Sequence, residues 1–315
     1  MDAIKKKIQI LLSTYNGEIF LKEQLESFVS LNNFSEIKVL IRDDGSTDST
    51  LDILKEYEEK YGFEVIRGAN IGLNASMNEL IKSRDTSCEY FAFSDQDDVW
   101  FPDKVERGAA ILSQYDKNMP MLYVSTSTLA DADLNPKGHT FIPKRPITFY
   151  NAMIQNVCPG HAQICNAALA DILEKKYSPD MMVYDYWAVL IATAVGKIYF
   201  DAKETAYYRQ HGNNAIGYST SKIKALKTRI SRVKTKKSVL NAKQLFALCE
   251  IARDIIPEIY LKEASRFFSY QRNFFTRLKY FFTSKAYRQT KTETLIFKFM
   301  YLFARYNLNK KNTNL

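Results

Sequence analysis

Apolar residues in the first hundred positions form short unbroken runs separated by stretches of helical spacing. Residues 7–12, 37–41, 63–66 and 90–93 read as buried strands. Residues 17–31 read as an amphipathic helix with Ile19, Phe20, Leu21, Leu25, Phe28 and Val29 inward. A second helix, capped by Asp48 or Ser49, runs through Leu51, Ile53, Leu54 and Tyr57, and a third covers 74–82. Strand and helix alternating over short connections predict an α/β fold with a mainly parallel sheet covered on both faces. Beyond residue 121 the pattern is mixed, with short apolar runs at 121–124, 162–165, 197–200 and 206–208 and a strong helix at 182–194. From Ser221 onward helical periodicity dominates, so a boundary is expected near Tyr218.

In a parallel sheet, ligands bind beyond the carboxyl ends of the strands. Three loops therefore share one rim: Ser13 to Gly17, Arg42 to Asp48, and Asp95-Gln96-Asp97-Asp98. The third packs three carboxylates into four positions directly after a buried strand. Such crowding disfavours ionisation unless a cation offsets it. Hard carboxylate oxygens suit Mg²⁺ or Mn²⁺, ions commonly shared with substrate phosphates. Taken alone, the same turn would be an acidic cap on the helix that starts near Pro102. The Asp43-Asp44-Gly45-Ser46 turn offers acceptors to a nucleobase imide and ribose hydroxyls, with Gly45 permitting close backbone approach.

Charge divides the chain. Residues 219–315 carry 22 of the 44 basic side chains and 5 of the 35 acidic ones, leaving an acidic body and a basic tail. Aromatic clusters such as Phe274-Phe275 and Phe281-Phe282 interleave with the tail's cations. Basic and bulky apolar residues together suit an anionic membrane surface, where each Lys or Arg contributes ~1 kcal/mol. No nucleic-acid module is recognisable, so nucleic acid is not an expected partner. A helical bundle with a solvated basic face is the competing reading. No run reaches the ~18 apolar residues of a membrane span, and the N-terminus lacks the apolar stretch of a signal peptide, so a cytoplasmic protein is expected. Cys88, Cys158, Cys165 and Cys249 have no paired spacing and read as buried reduced thiols.

Read together, Ser13-Thr14-Tyr15-Asn16, Asp43-Asp44-Gly45-Ser46-Thr47-Asp48, Asn70-Ile71-Gly72 and Asp95-Gln96-Asp97-Asp98 resemble, in order and spacing, the family 2 glycosyltransferases of the GT-A fold. The Ser94-to-Trp100 form and the later Tyr208-Arg209-Gln210-His211-Gly212-Asn213-Asn214 are most similar to bacterial rhamnosyltransferase-type members. The resemblance spans roughly residues 7–217. It implies a GT-A domain over 1–218, with a nucleotide-sugar half to about residue 120 and an acceptor half over 121–218, then the basic helical tail 219–315.

The resemblance also implies roles. Asp44, with Asp43 beside it, would read the base, supported by Thr14 and Tyr15 and by the Asn70 loop. Asp95 would meet the ribose or the metal, Asp97 and His211 would hold the metal, and Arg209 would help hold the diphosphate. Asp185, in Tyr184-Asp185-Tyr186-Trp187, is the candidate base because it lies near the start of the strong helix and matches the aspartate of the family's acidic or His-Asp-Trp-type motif. Two positions depart from the family pattern. Tyr184 stands where an acidic residue or His is usual, and Met77-Asn78 where many members carry an Arg that reaches the nucleotide. His161, in Pro159-Gly160-His161, is placed either on the acceptor side or in the packing.

The implied reaction is inverting, metal-dependent transfer of a hexose, with L-rhamnose from dTDP-rhamnose favoured and a UDP-hexose as the alternative. The acceptor would be a bacterial surface glycan or lipid-linked precursor, met at the inner face of the membrane by a peripheral enzyme. Two rivals lie outside the class. A nucleotidyltransferase would want a basic Gly-rich triphosphate loop, and the first rim loop offers only Gly17 with no adjacent cation. A non-catalytic sugar-nucleotide or membrane-binding subunit would keep the fold without needing Asp185.

Overall fold

The computed structural model describes residues 7–211 and 237–303. Strands β1 (Ile8–Thr14), β2 (Ile37–Asp43), β3 (Glu64–Arg67) and β4 (Tyr90–Ser94) alternate with helices α1 (Leu21–Val29), α2 (Thr50–Tyr61) and α3 (Leu73–Lys82). These four strands pair in parallel, β2 between β3 and β1, and β1 between β2 and β4. The predicted helix over 17–31 is shorter at both ends. Its first turn instead wraps under the Gly17 carbonyl, which accepts from the amides of Phe20 and Leu21.

Next come β5 (Val99–Trp100), α4 (Lys104–Leu112), β6 (Met121–Ala130), β7 (Pro136–His139), α5 (Phe149–Ala152), β8 (Gln163–Asn166), α6 (Ala167–Lys175), α7 (Tyr184–Val195) and β9 (Lys197–Arg209). The sheet order is β3-β2-β1-β4-β8-β6-β9-β5, with β7 on the edge of β6. The expected mainly parallel sheet is parallel throughout its first half and mixed in its second. Strand β8 inserts antiparallel to both β4 and β6, whereas β6 and β9 run parallel to each other. The apolar runs at 197–200 and 206–208 are the two ends of a single strand, β9. Polar residues between them fall at irregularities in its register with β6, which breaks the alternation that would have joined them in the sequence.

Period-two alternation sorts the strand residues onto two faces. Ile10, Leu12, Val39, Ile41 and Ala92 pack with α1, α2 and α4. Leu11, Leu40, Phe91 and Phe93 face α3, α6 and α7. That second core does not stop at α7. It continues without a break into α8 (Lys237–Ile251), α9 (Glu258–Ser269), α10 (Phe274–Thr283) and α11 (Lys291–Leu302) through Leu245, Leu248, Phe267, Tyr280 and Tyr301. The C-terminal helices are thus built onto the back of α7 rather than trailing from the body. The boundary expected near Tyr218 lies outside the described residues.

Candidate active site

Parallel strands end their ladders together, so β1, β2 and β4 deliver three loops to one rim, and side chains lace these loops to one another. Thr14 Oγ1 donates to Asp43 Oδ2 at 3.1 Å, and the amides of Gly45 and Ser46 donate to Asp43 Oδ1. Asp44 is ion-paired with Arg42 and accepts the amides of Ile71 and Gly72 at 2.9 and 2.8 Å. Gly45 has a left-handed φ of 80°, and a Cβ there would come within 2.9 Å of the Asn70 amide, so this turn and the exposed Asn70 loop touch only because the residue is glycine. Gln96 clasps the first and third loops, accepting from the Tyr15 amide at 2.8 Å and donating to its carbonyl at 3.1 Å. Asp43 and Asp44 are both buried and their oxygens brace the loops, while Tyr15 stands half exposed above them.

The carboxylate turn splits by burial. Asp97 faces outward and its Oδ2 lies 2.7 Å from His211 Nε2. Asp98 turns inward, is wholly buried, and accepts the Arg209 amide through Oδ1. Its Oδ2 and His161 Nδ1 are buried without a hydrogen-bond partner and stand 3.6 Å apart. His161 Nδ1 is also 3.7 Å from Asp95 Oδ2, its Nε2 meets Ser127 Oγ at 2.9 Å, and its ring stacks on Tyr208. Asp95, Asp98 and His161 thereby form a group able to hold a divalent ion, their ligand atoms all within 4.8 Å of one another. Burial, and then the Asp97 and Asp95 charges, push the Asp98 carboxyl well above the ordinary range; burial and Asp95 raise Asp97, against the pull of His211. Lys104, fully buried beneath this turn and bonded to Thr205 Oγ1 at 3.2 Å, is pulled down to about 7 by burial against the opposing carboxylates.

Arg209 is placed differently from the expectation of a diphosphate contact. Its guanidinium is 1 % exposed and committed to the Asp97 and Ala132 carbonyls and to Glu23, with its plane 4.5 Å over Phe20. It fixes the backbone of the carboxylate turn from behind. His211 lies at the edge of the described residues; the Gly212, Asn213 and Asn214 of the same motif fall outside them.

Asp185 enters from the other half of the sheet. Helix α7 starts at Tyr184, whose amide donates to Asn74 Oδ1 at 3.0 Å and whose hydroxyl reaches Asp95 Oδ1 at 3.4 Å. The first turn of α7 is thus tied to the carboxylate turn. Gly160 packs directly under the Tyr184 hydroxyl, where a Cβ would overlap it. Asp185 itself is buried with Oδ1 unpartnered. Burial, then the Asp95 charge, push its carboxyl up to about 7 against hydrogen bonds from Tyr186, Gly160 and Asn156. A carboxylate poised near neutrality suits general base work.

Sequence reasoning left Asp98 without a role, left His161 between two readings and gave Gln96 and Lys104 none. The signal for the first two was a carboxylate and a His each in a short turn beside a buried strand.

The model of glycosyl transferase family 2 matches residues 9–175. The dTDP-rhamnosyl transferase RfbG of Shigella flexneri is 29 % identical over 250 residues, covering 71 % of this chain and 80 % of that protein. An uncharacterised glycosyltransferase of Nostoc is 29 % identical over 219 residues, covering 66 % of each. Among solved structures, S. aureus TarS 1-349 in complex with UDP superposes with a TM-score of 0.59 at 18 % identity, covering 89 % of this chain and 75 % of that one.

Proposed function

The chain belongs to glycosyltransferase family 2, and from that premise we propose that it transfers a hexose, with inversion, from a nucleotide diphosphate sugar to a hydroxyl of a bacterial surface glycan or lipid-linked precursor. One observation carries the reading: Asp185, buried with a free oxygen and a carboxyl near neutrality, is tied through Tyr184 to the carboxylate turn at the rim where such folds bind nucleotides. The nucleoside lies over the loops braced by Asp43, Asp44 and the buried Thr14, with Tyr15 and Asn70 at its edge.

A divalent ion, Mg²⁺ or Mn²⁺, suits the donor set, because burial and the neighbouring carboxylate charges raise the proton affinity of Asp97 and Asp98 and an ion relieves the repulsion. Asp97 and His211, each partly open to solvent, would hold it with Asp95 alongside. The inner trio of Asp95, Asp98 and His161 already has the Lys104 amine close by, which favours a bracing role for it. When bound, the ion would offset charge on the departing diphosphate.

Asp185 takes the acceptor proton as the acceptor oxygen bonds to the anomeric carbon and the bond to the nucleotide diphosphate breaks. The attack comes from the face opposite the leaving group, hence inversion. Similarity to RfbG supports dTDP-L-rhamnose as donor, with a UDP-hexose next. Among the described residues no helix is long and apolar enough to cross a membrane; we place the enzyme in the cytoplasm, peripheral at the inner face of the membrane where its acceptor resides.

The test is turnover of dTDP-rhamnose and UDP-hexoses with a membrane-extracted glycolipid fraction, followed by release of nucleotide diphosphate and by NMR of the new anomeric centre. Release of dTDP with an inverted linkage supports the reading. Release from no donor in the presence of Mn²⁺ refutes it.

A further inference from the structure

Helices α10 and α11 form an antiparallel hairpin. The Arg277 guanidinium, near the start of α10, donates to the Leu302 carbonyl at the end of α11, and the Phe281 and Phe299 rings meet at 5.2 Å nearer the turn. One side of the hairpin, through Tyr280, Phe297 and Tyr301, belongs to the core shared with α7. The other side is open. Phe275 and Phe282, two turns apart on α10, are 80 % and 73 % exposed, and the adjacent Leu295 and Ile296, then Phe299 and the Phe303 that caps α11, follow one face, each more than 40 % exposed. Phe281 joins the two rows, touching Phe282 and Phe299. Single exposed apolar side chains are ordinary on a protein surface, but a continuous ridge of six is the mark of an interaction surface.

The charges around the ridge identify what covers it. Residues 274–303 carry six basic side chains and one acidic one, Glu293. Lys279, Lys285 and Lys291 are exposed, and the Lys298 amine lies over the Phe281 ring at 5.8 Å. Bulky aromatic rings flanked by lysines match the two zones of an anionic bilayer surface, the rings entering the acyl boundary and the ammonium groups meeting headgroup phosphates.

The hairpin is also rigidly seated on the acceptor half. Gln289, in its turn, accepts the amides of Lys144 and Arg145 and donates to Asn151 Oδ1. Tyr287 accepts Asn151 Nδ2 at its carbonyl, donates from its hydroxyl to the Pro146 carbonyl, and lies 3.9 Å under the Arg145 guanidinium. The segment so gripped leads directly to Asn156 and Gly160, beside Asp185.

We propose that the open face of the α10–α11 hairpin docks on an anionic lipid bilayer, so that the aromatic ridge and its lysines hold the acceptor half of the enzyme against the membrane. This rests on the reading of a membrane-borne acceptor and names the surface that meets the membrane.

The experiment is co-sedimentation of the full chain with vesicles of phosphatidylcholine alone or mixed with phosphatidylglycerol. The wild type binds the mixed vesicles, weakens in high salt, and leaves pure phosphatidylcholine largely unbound. A combined Phe275→Ser, Phe282→Ser and Phe299→Ser variant loses at least tenfold in vesicle affinity with its melting temperature and nucleotide binding retained. Combined Lys279→Glu and Lys298→Glu loses the preference for phosphatidylglycerol. Absence of wild-type binding, or equal binding by the Phe variant, overturns the proposal. Wild-type dimers that the Phe variant converts to monomers, with no vesicle binding, overturn it in favour of a second copy of the chain. Vesicle binding without binding of any nucleotide would sink the glycosyltransferase reading while leaving this surface standing.

Discussion

Replacing Asp185 by Asn should damage turnover and stabilise the fold at the same time, with a pH signature that separates the two. The carboxyl sits at about 7 in the folded chain against an ordinary 3.8, because burial and the Asp95 charge disfavour its ionised form. Between those values the folded state holds the proton more tightly than the unfolded state, so stability falls as pH rises from about 4 to about 7 and is flat above. At pH 5 the folded-state carboxyl is still neutral; at pH 8 it is ionised, and the two units between pH 5 and 7 amount to at most about 3 kcal/mol at about 1.4 kcal/mol each. Asn carries no such term. The advantage of Asp185→Asn over the wild type in urea unfolding should therefore grow by about 2–3 kcal/mol from pH 5 to pH 8. Turnover at pH 8 should drop by roughly 10²–10⁴ while nucleotide affinity is kept, and wild-type kcat/KM should rise with pH through about 7 as the base deprotonates. A stability difference that is flat with pH would show that the carboxyl is not held near neutrality, and unchanged turnover would show that another group takes the proton.

Asp97→Asn and His211→Ala should each weaken Mn²⁺-dependent nucleotide binding at least about tenfold, a loss of ~1.4 kcal/mol, while binding without metal stays constant; calorimetry with and without Mn²⁺ checks this. Arg209→Lys should lower stability by about 1–3 kcal/mol, because a lysine cannot serve the Asp97 and Ala132 carbonyls and Glu23 together. If Arg209 instead touched the diphosphate, nucleotide affinity would fall with the melting temperature unchanged.

The nucleotide half was legible because each element there obeys a local rule. The strands of 7–12, 37–41 and 90–93 are buried apolar runs, and the loops between them carry the polar residues that a parallel sheet places on one rim. The acceptor half was less so. Strand β8 is four residues long and lies between β4 and β6 only through tertiary pairing, which no periodicity encodes. The same distinction governs the site. The crowding of Asp95, Asp97 and Asp98 is visible in sequence, but which faces inward depends on the Arg209 amide more than a hundred residues away. The resemblance assigned Arg209 to the diphosphate, because its motif is visible in sequence and its burial is not. The helical periodicity of the C-terminal part was plain, yet its shared core with α7 is built from residues such as Trp187 and Leu248 that only the fold brings into one cluster.

The most direct test of the central claim is titration calorimetry of the full chain with dTDP, UDP and GDP, each with and without Mn²⁺. Binding of one nucleotide that strengthens at least tenfold with Mn²⁺, a strengthening that disappears in Asp97→Asn, is the predicted result. Failure of all three to bind with the metal present would contradict it and leave the chain a glycosyltransferase fold without a donor site.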